Sequence, residues 1–492
     1  MLAGRVRSVR REMGNPLYRN AYALMLNTVV NSGFGLLYWI FAARTYSPEE
    51  VGRGSALVNL MMLISVLTTL NFGQALIRFL PTAGNDSARL VRLAYAVSAG
   101  LGTVAAAGVM IYLNLVHSPG DPLWVSPGFA IWFVVSTAAW SIFNLQDQVF
   151  TGLRSAMWVA LENGVYGVVK LVLLVAVSFT SVSDGVFTSW SAPVLALLVP
   201  FTLLIARRLV PRHAAASAAE PGAGAPAPAT LRRYMAGDYV GQVFNQATSS
   251  FLPVLIIQLL GPQQSAYLLP AQTVFIAMNM LSVAITSSLV VEGSRDPARA
   301  HLLARSILRR IAVIVLPAAL LVALAAPLLL LLYGREYAEN ASLLLQLLMI
   351  SMLPRVVVTL WMTRSRLANR TGPLAVQQLV HAVVVLGGTL LLSPSLGLDA
   401  VGWSWLAAEL LLAVFLAPIV VRWLRGTHPV PARGPAPTDP GAGEVTEVIG
   451  RIDDGDKDND GGSGPAGPAD GGSGPAGPAD DGPTRRIPRV RE

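Results

Sequence analysis

Glu162, Tyr166 and Lys170 stand at i, i+4 and i+8 inside an otherwise apolar run, so on a helix they form a polar ladder that drifts slowly around one face. An ionisable group is costly to hold inside a bilayer, and by default it marks a path for an ion or a polar cargo. Three further candidates stand in comparable runs: Arg355 directly after Pro354, His381, and Glu409 near the middle of the last apolar segment. Lys170 and Arg355 are the groups able to meet an anion, and the arginine fork matches phosphate oxygens. Glu162 and Lys170 either serve transport or neutralise each other and their neighbours. Glu409, and Glu162 with it, is either a packed carboxyl or a site of ion coupling. His381 is expected to bond between helices.

The elements that carry these residues are twelve apolar segments in two groups of six: 20–43, 51–80, 88–115, 128–150, 154–180 and 184–209, then 234–260, 263–292, 300–333, 338–363, 372–393 and 399–424. A bilayer crossing needs about 20 residues of helix, and backbone groups in lipid must be satisfied internally, so an all-α polytopic membrane protein follows. The long 300–333 segment has room for a break.

Arginine placement orients the spans, because cytoplasmic loops keep positive charge. Arg5, Arg7, Arg10, Arg11 and Arg19 precede the first span, Arg207, Arg208, Arg212, Arg232 and Arg233 lie between the sixth and seventh, and Arg295, Arg299, Arg305, Arg309 and Arg310 lie about the eighth and ninth. The opposite loops hold only Arg44, Arg53 and Arg335. Both termini are therefore expected on the cytoplasmic side. The net charge of +8 is mostly this topological signal, so it does not call for a nucleic-acid partner, while basic juxtamembrane residues favour anionic lipid. Lysine occurs only at 170 and 457 amid abundant arginine and alanine, a bacterial bias that points to the plasma membrane.

The chain has no cysteine, which removes disulfides, thiolate metal sites and cysteine nucleophiles. Residues 1–19 read as a basic amphipathic stretch before the first lobe (20–210), and an Ala/Pro/Gly linker (211–233) precedes the second lobe (234–425). The tail, 426–492, carries DGGSGPAGPA twice in tandem at 460–469 and 470–479, and is expected to be disordered. Asp456, Asp458, Asp460 and Gly461 imitate the opening of a calcium loop, but Gly467 stands where a bidentate Glu is required.

The halves look related. Tyr46-Ser47-Pro48-Glu49-Glu50-Val51-Gly52 and Leu260-Gly261-Pro262-Gln263-Gln264-Ser265-Ala266 are separated by an offset of 214 residues, which also places Asn31 on Asn245. Six spans per half make the repeats parallel, two lobes about a central cavity. Asn31 and Asn245 either line that cavity or bond between helices.

Asn27 and Asn31, the run from Ala42 to Gly52, and Leu70-Asn71-Phe72-Gly73-Gln74-Ala75-Leu76-Ile77-Arg78 resemble the opening of bacterial polysaccharide transporters. These are flippases of polyprenyl-diphosphate-linked oligosaccharides, in the superfamily that also holds multidrug and toxin extrusion transporters and the lipid II flippase. Arg44, Pro48, Glu49, Gly52, Gly73 and Arg78 carry the family pattern, which covers the first two spans strongly, the twelve-span layout weakly and the tail not at all. The resemblance implies alternating access and a sugar on an isoprenoid diphosphate moved to the outer leaflet. It implies Lys170 and Arg355 on the diphosphate, with Glu162 and Tyr166 beside them and Asn31 and Asn245 on the sugar path. It also implies a polysaccharide polymerase and a chain-length regulator as neighbours.

No Walker loop, H-E-x-x-H or G-x-S-x-G occurs, and the five histidines are scattered, so neither an enzyme nor a cofactor or metal site is expected. A membrane glycosyltransferase would want a larger outer loop than 116–127, which offers only His117 and Asp121. An ion-coupled exporter of drugs or organic cations on the same fold is the closer rival, and a non-transporting scaffold that recruits through its tail is a third possibility.

Overall fold

The computed structural model describes residues 16–121, 123–180, 184–217, 227–295, 300–368 and 371–427. The expected amphipathic helix before residue 16, the middle of the linker and the tail from 428 lie outside the described residues. The side chains of Asn245 and Asp238 lie outside them as well.

The first lobe runs α1 (Pro16–Thr45), α2 (Pro48–Thr68), the short α3 (Phe72–Phe79), α4 (Ser87–Val116), α5 (Pro127–Gly152), α6 (Met157–Ser178) and α7 (Gly185–Leu204), then one π-turn and α8 (Val210–Ser217). The second runs α9 (Pro228–Leu260), α10 (Pro262–Arg295), α11 (Ala300–Leu324) with α12 (Ala326–Leu330), α13 (Arg335–Ile350) with α14 (Met352–Leu367), α15 (Thr371–Leu396) and α16 (Asp399–Leu424). No strand occurs among the described residues. Among the described residues eight helices are long and apolar enough to cross a membrane, nine when α13 and α14, bent by 43° about Ser351, count as one. Helices α1, α9 and α10, of 30, 33 and 34 residues, complete twelve spans in two lobes. The chain is a multi-pass membrane protein.

Local chemistry explains the joints. Ser47 caps α2 in a capping box with Glu50, and Pro48 fills the first helical turn, where no N–H is needed. At the equivalent point of the second lobe Gly261 turns the chain at φ 92 before Pro262. The 300–333 segment does break, at Ala325, before a proline in the first turn of α12.

Packing repeats between lobes: α1 lies on α6 as α9 lies on α15, and α6 pairs with α7 as α15 pairs with α16. The lobes meet where α2 packs against α9 and α10. Gly52 lies so close to α10 that an added Cβ would stand 1.7 Å from the Pro262 carbonyl oxygen. One apolar cluster therefore runs across both lobes, from Tyr38 and Met61 to Leu268, Leu348 and Trp423. Leu115, Leu321, Leu391 and Phe415 point outward, as a lipid solvent permits.

Candidate functional site

A cavity of about 430 Å³ is lined mainly by the first lobe, with Met280 of α10 its one residue from the second. Helix α1 contributes Asn27, Asn31, Ser32 and Gly35, which share one face by their spacing. That face meets α6 because Gly167 admits Phe34, whose ring an added Cβ would approach to 2.5 Å. The same crossing brings Tyr166 and Lys170 to the cavity wall. Helix α5 adds Trp140, Phe143, Asn144 and Asp147, and α7 adds Trp190.

Lys170 is almost wholly buried, and its ammonium stands 4.0 Å from the Trp190 ring centroid, 4.9 Å from that of Tyr166 and 5.3 Å from that of Tyr38. No described carboxylate pairs with it. The rings are themselves held: Tyr166 donates to the Trp190 carbonyl at 3.1 Å, and Tyr38 donates to the Val186 carbonyl at 2.7 Å beside Ser189. Aromatic faces attract a desolvated cation by about 2 kcal/mol, which offsets part of its burial and leaves its charge uncancelled. Within the same cavity Asn27 Oδ1 and Trp190 Nε1 have no protein partner.

Glu162 does not pair with Lys170. It is fully buried away from the cavity wall, where the Gln146 side-chain amide bridges its Oε1, at 2.9 Å, and Thr202 Oγ1, at 3.0 Å. Asp147, near the C-terminal end of α5, lines the cavity. Both of its oxygens accept from Asn163 Nδ2, at 3.0 and 3.2 Å. Asn144, Asn163, Trp140 and Trp190 are cavity residues that sequence reasoning passed over, and Asp147 is one that its place near a helix end explains as solvated. The i, i+3 pairing of Asn144 with Asp147 in an apolar run was the available signal.

Arg355 is held in the second lobe and does not line this cavity. The break at Ser351 tolerates Pro354 in the first turn of α14 and aims the guanidinium at Glu409 Oε1 on α16. Arg355 Nε also donates to Asn279 Oδ1 at 2.8 Å, and the group lies 5.6 Å from the Phe275 ring. His381 Nε2 stands 3.3 Å from the same Glu409 oxygen and packs edge-on against Trp405. The expected joint grip of Lys170 and Arg355 on one anion therefore meets an arginine already neutralised by a buried carboxylate, a pairing that two distant helices create.

The hairpin residues turn out to hold the lobes together. Arg44 donates to the carbonyls of Leu331 and Leu332, at 2.6 and 3.0 Å, just beyond α12, and Pro48, exposed Glu49 and Gly52 shape the start of α2 against α10. Arg78 lies over Phe79 at the end of α3, and Gly73 faces Gln148 of α5. Among the described residues no three metal-ligating side chains come together.

Residues 17–215 match the family described as polysaccharide biosynthesis protein. Among solved structures, a multidrug resistance MATE family transporter of the MOP superfamily in its inward-facing conformation is similar at a TM-score of 0.63 and 13% identity, over 83% of this chain and 99% of that one. An outward-facing conformation of a multidrug resistance MATE family transporter of the MOP superfamily gives 0.56 and 13%, over 85% and 98%. A MOP superfamily transporter from Pyrococcus furiosus, described by the reverse polarity of its binding pocket, gives 0.56 and 12%, over 84% and 97%. Among curated proteins none matches.

Proposed function

We propose that this chain, whose residues 17–215 match the polysaccharide biosynthesis protein family and whose fold is that of MOP superfamily transporters, is a flippase that moves a polyprenyl-diphosphate-linked oligosaccharide from the inner to the outer leaflet of a bacterial plasma membrane. The observation that carries the proposal is Lys170: an ammonium that no described carboxylate pairs with, beside a cavity lined mostly by amides and aromatic rings, whose one acidic group, Asp147, is bound to Asn163. A diphosphate supplies the charge that Lys170 lacks, the amides of Asn27, Asn31 and Asn144 suit sugar hydroxyls, and Tyr166 and Trp190 keep the ammonium in place. Rocking of the lobes about the α2–α10 contact turns the cavity outward. Glu162 and Glu409 are the carboxylates available for ion coupling, since each is fully buried with one oxygen lacking a protein partner. Both termini are cytoplasmic on this reading, and a polymerase and chain-length regulator work beside the transporter.

Flipping of a fluorescent polyprenyl-diphosphate oligosaccharide in proteoliposomes tests this. Wild-type protein and Lys170→Arg translocate it, and Lys170→Ala does not. Absence of translocation over empty liposomes, with efflux of an organic cation intact, would overturn the reading. That second outcome is the export of organic cations, a reading favoured by Asp147 in the same cavity.

A further inference from the structure

Between α2 and α3 the chain passes through Leu70 at φ 46 and Asn71 at φ 63, two consecutive left-handed residues that are not glycine. Such a turn is strained and persists only where its surroundings hold it. Here the hold comes from the second lobe: the Tyr239 hydroxyl of α9 donates to the Leu67 carbonyl, and Asn71 Nδ2 donates to the Met235 carbonyl at 3.4 Å. The break opens a separate cavity of about 120 Å³. Its polar lining is Thr69, Asn71, Gln74, Asn144, Gln148 and Tyr239, and no charged side chain takes part. Gly73 gives Gln148 its place, since an added Cβ would stand 3.1 Å from Gln148 Cγ.

The chemistry of this lining is narrow. Without a cation it cannot neutralise a phosphate, and without a carboxylate it cannot neutralise an organic cation. Four amides and two hydroxyls present donors and acceptors side by side, which is what a ring of sugar hydroxyls requires. Val66 and Leu145 supply apolar surface for the C–H faces of such a ring. The space equals that of about four waters, enough for one sugar unit with some adjustment and too little for an oligosaccharide. Asn144 lines both this cavity and the larger one, so the two adjoin.

We propose that the cavity at the α2–α3 break is a subsite for one uncharged sugar residue of the cargo glycan, separate from the place where Lys170 meets the diphosphate. It rests on the Lys170 reading for the identity of the cargo. Because Tyr239 belongs to the second lobe, the subsite is complete only while α9 lies on α2, so the glycan is read in the arrangement seen here.

Equilibrium binding to the purified full-length protein in detergent tests the assignment with two probes, polyprenyl diphosphate without sugar and the same lipid bearing a neutral tetrasaccharide. The double variant Gln74→Leu/Gln148→Leu is expected to weaken binding of the tetrasaccharide lipid roughly tenfold, the effect of one or two lost hydrogen bonds. Its affinity for the sugar-free lipid stays that of wild type, which also shows that the variant is folded. An unchanged affinity for the tetrasaccharide lipid, or an equal fall for both probes, would overturn the subsite. Lys170→Ala is expected to weaken both probes; if it weakens neither, the diphosphate reading fails while the comparison between the two probes still judges the subsite.

Discussion

The Arg355 guanidinium and the Glu409 carboxylate form an ion pair across α14 and α16, with the carboxylate fully buried and His381 on the same oxygen. Removing one member of a buried pair leaves an uncompensated charge, and such changes are destabilising by about 3–5 kcal/mol. Arg355→Met and Glu409→Leu are each expected to lower the melting temperature in detergent, and the double variant to recover most of the loss. A double-mutant cycle of thermal unfolding checks this; additive losses would show that the pair is not coupled.

Lys170 gives the opposite expectation. Its ammonium has aromatic neighbours but no carboxylate among the described residues, so Lys170→Met removes an uncancelled buried charge from a site that accommodates an apolar side chain. Thermal stability is expected to stay level or rise by about 1 kcal/mol, while flipping of the diphosphate lipid is lost. A variant that is both less stable and still active would contradict the role given to this residue.

Two glycines separate contact from conformation. Gly52→Ala drives a methyl into the Pro262 carbonyl and is expected to cost about 1–3 kcal/mol or more, together with transport, by prising α2 from α10. Gly100→Ala on α4 meets nothing within 4 Å and should be neutral or stabilising by about 0.5–1 kcal/mol. Parallel melting curves of the two variants decide whether the lobe contact is as tight as described.

Orientation is accessible because the chain has no cysteine to give a background. Ser118→Cys lies in the turn after α4 and Thr427→Cys just beyond α16. A membrane-impermeant maleimide applied to intact cells is expected to label the first, and the second only after lysis. The reverse pattern would invert the topology.

Much of the architecture was legible in the residues themselves. Runs of apolar side chains of bilayer length determine that helices cross the membrane, and they do so locally, through each segment's own backbone and lipid-facing surface. The hairpins at Pro48 and Pro262 were equally legible, because proline and a capping residue act within one turn. The ladder of Glu162, Tyr166 and Lys170 was visible as polar residues on one helix. Its division was not: Tyr166 and Lys170 face the cavity, whereas Glu162 turns to Gln146. Arg355 looked like an anion site and proved to be the partner of Glu409. Helical periodicity states which residues share a face, but it carries no record of which distant helix that face will meet. Close approaches such as Gly167 to Phe34 and Gly52 to Pro262 set the rotation and spacing of the helices. Those long-range contacts decided that Arg355 is cancelled and Lys170 is not, since whether a buried charge stays available depends on neighbours that only the assembled lobes supply.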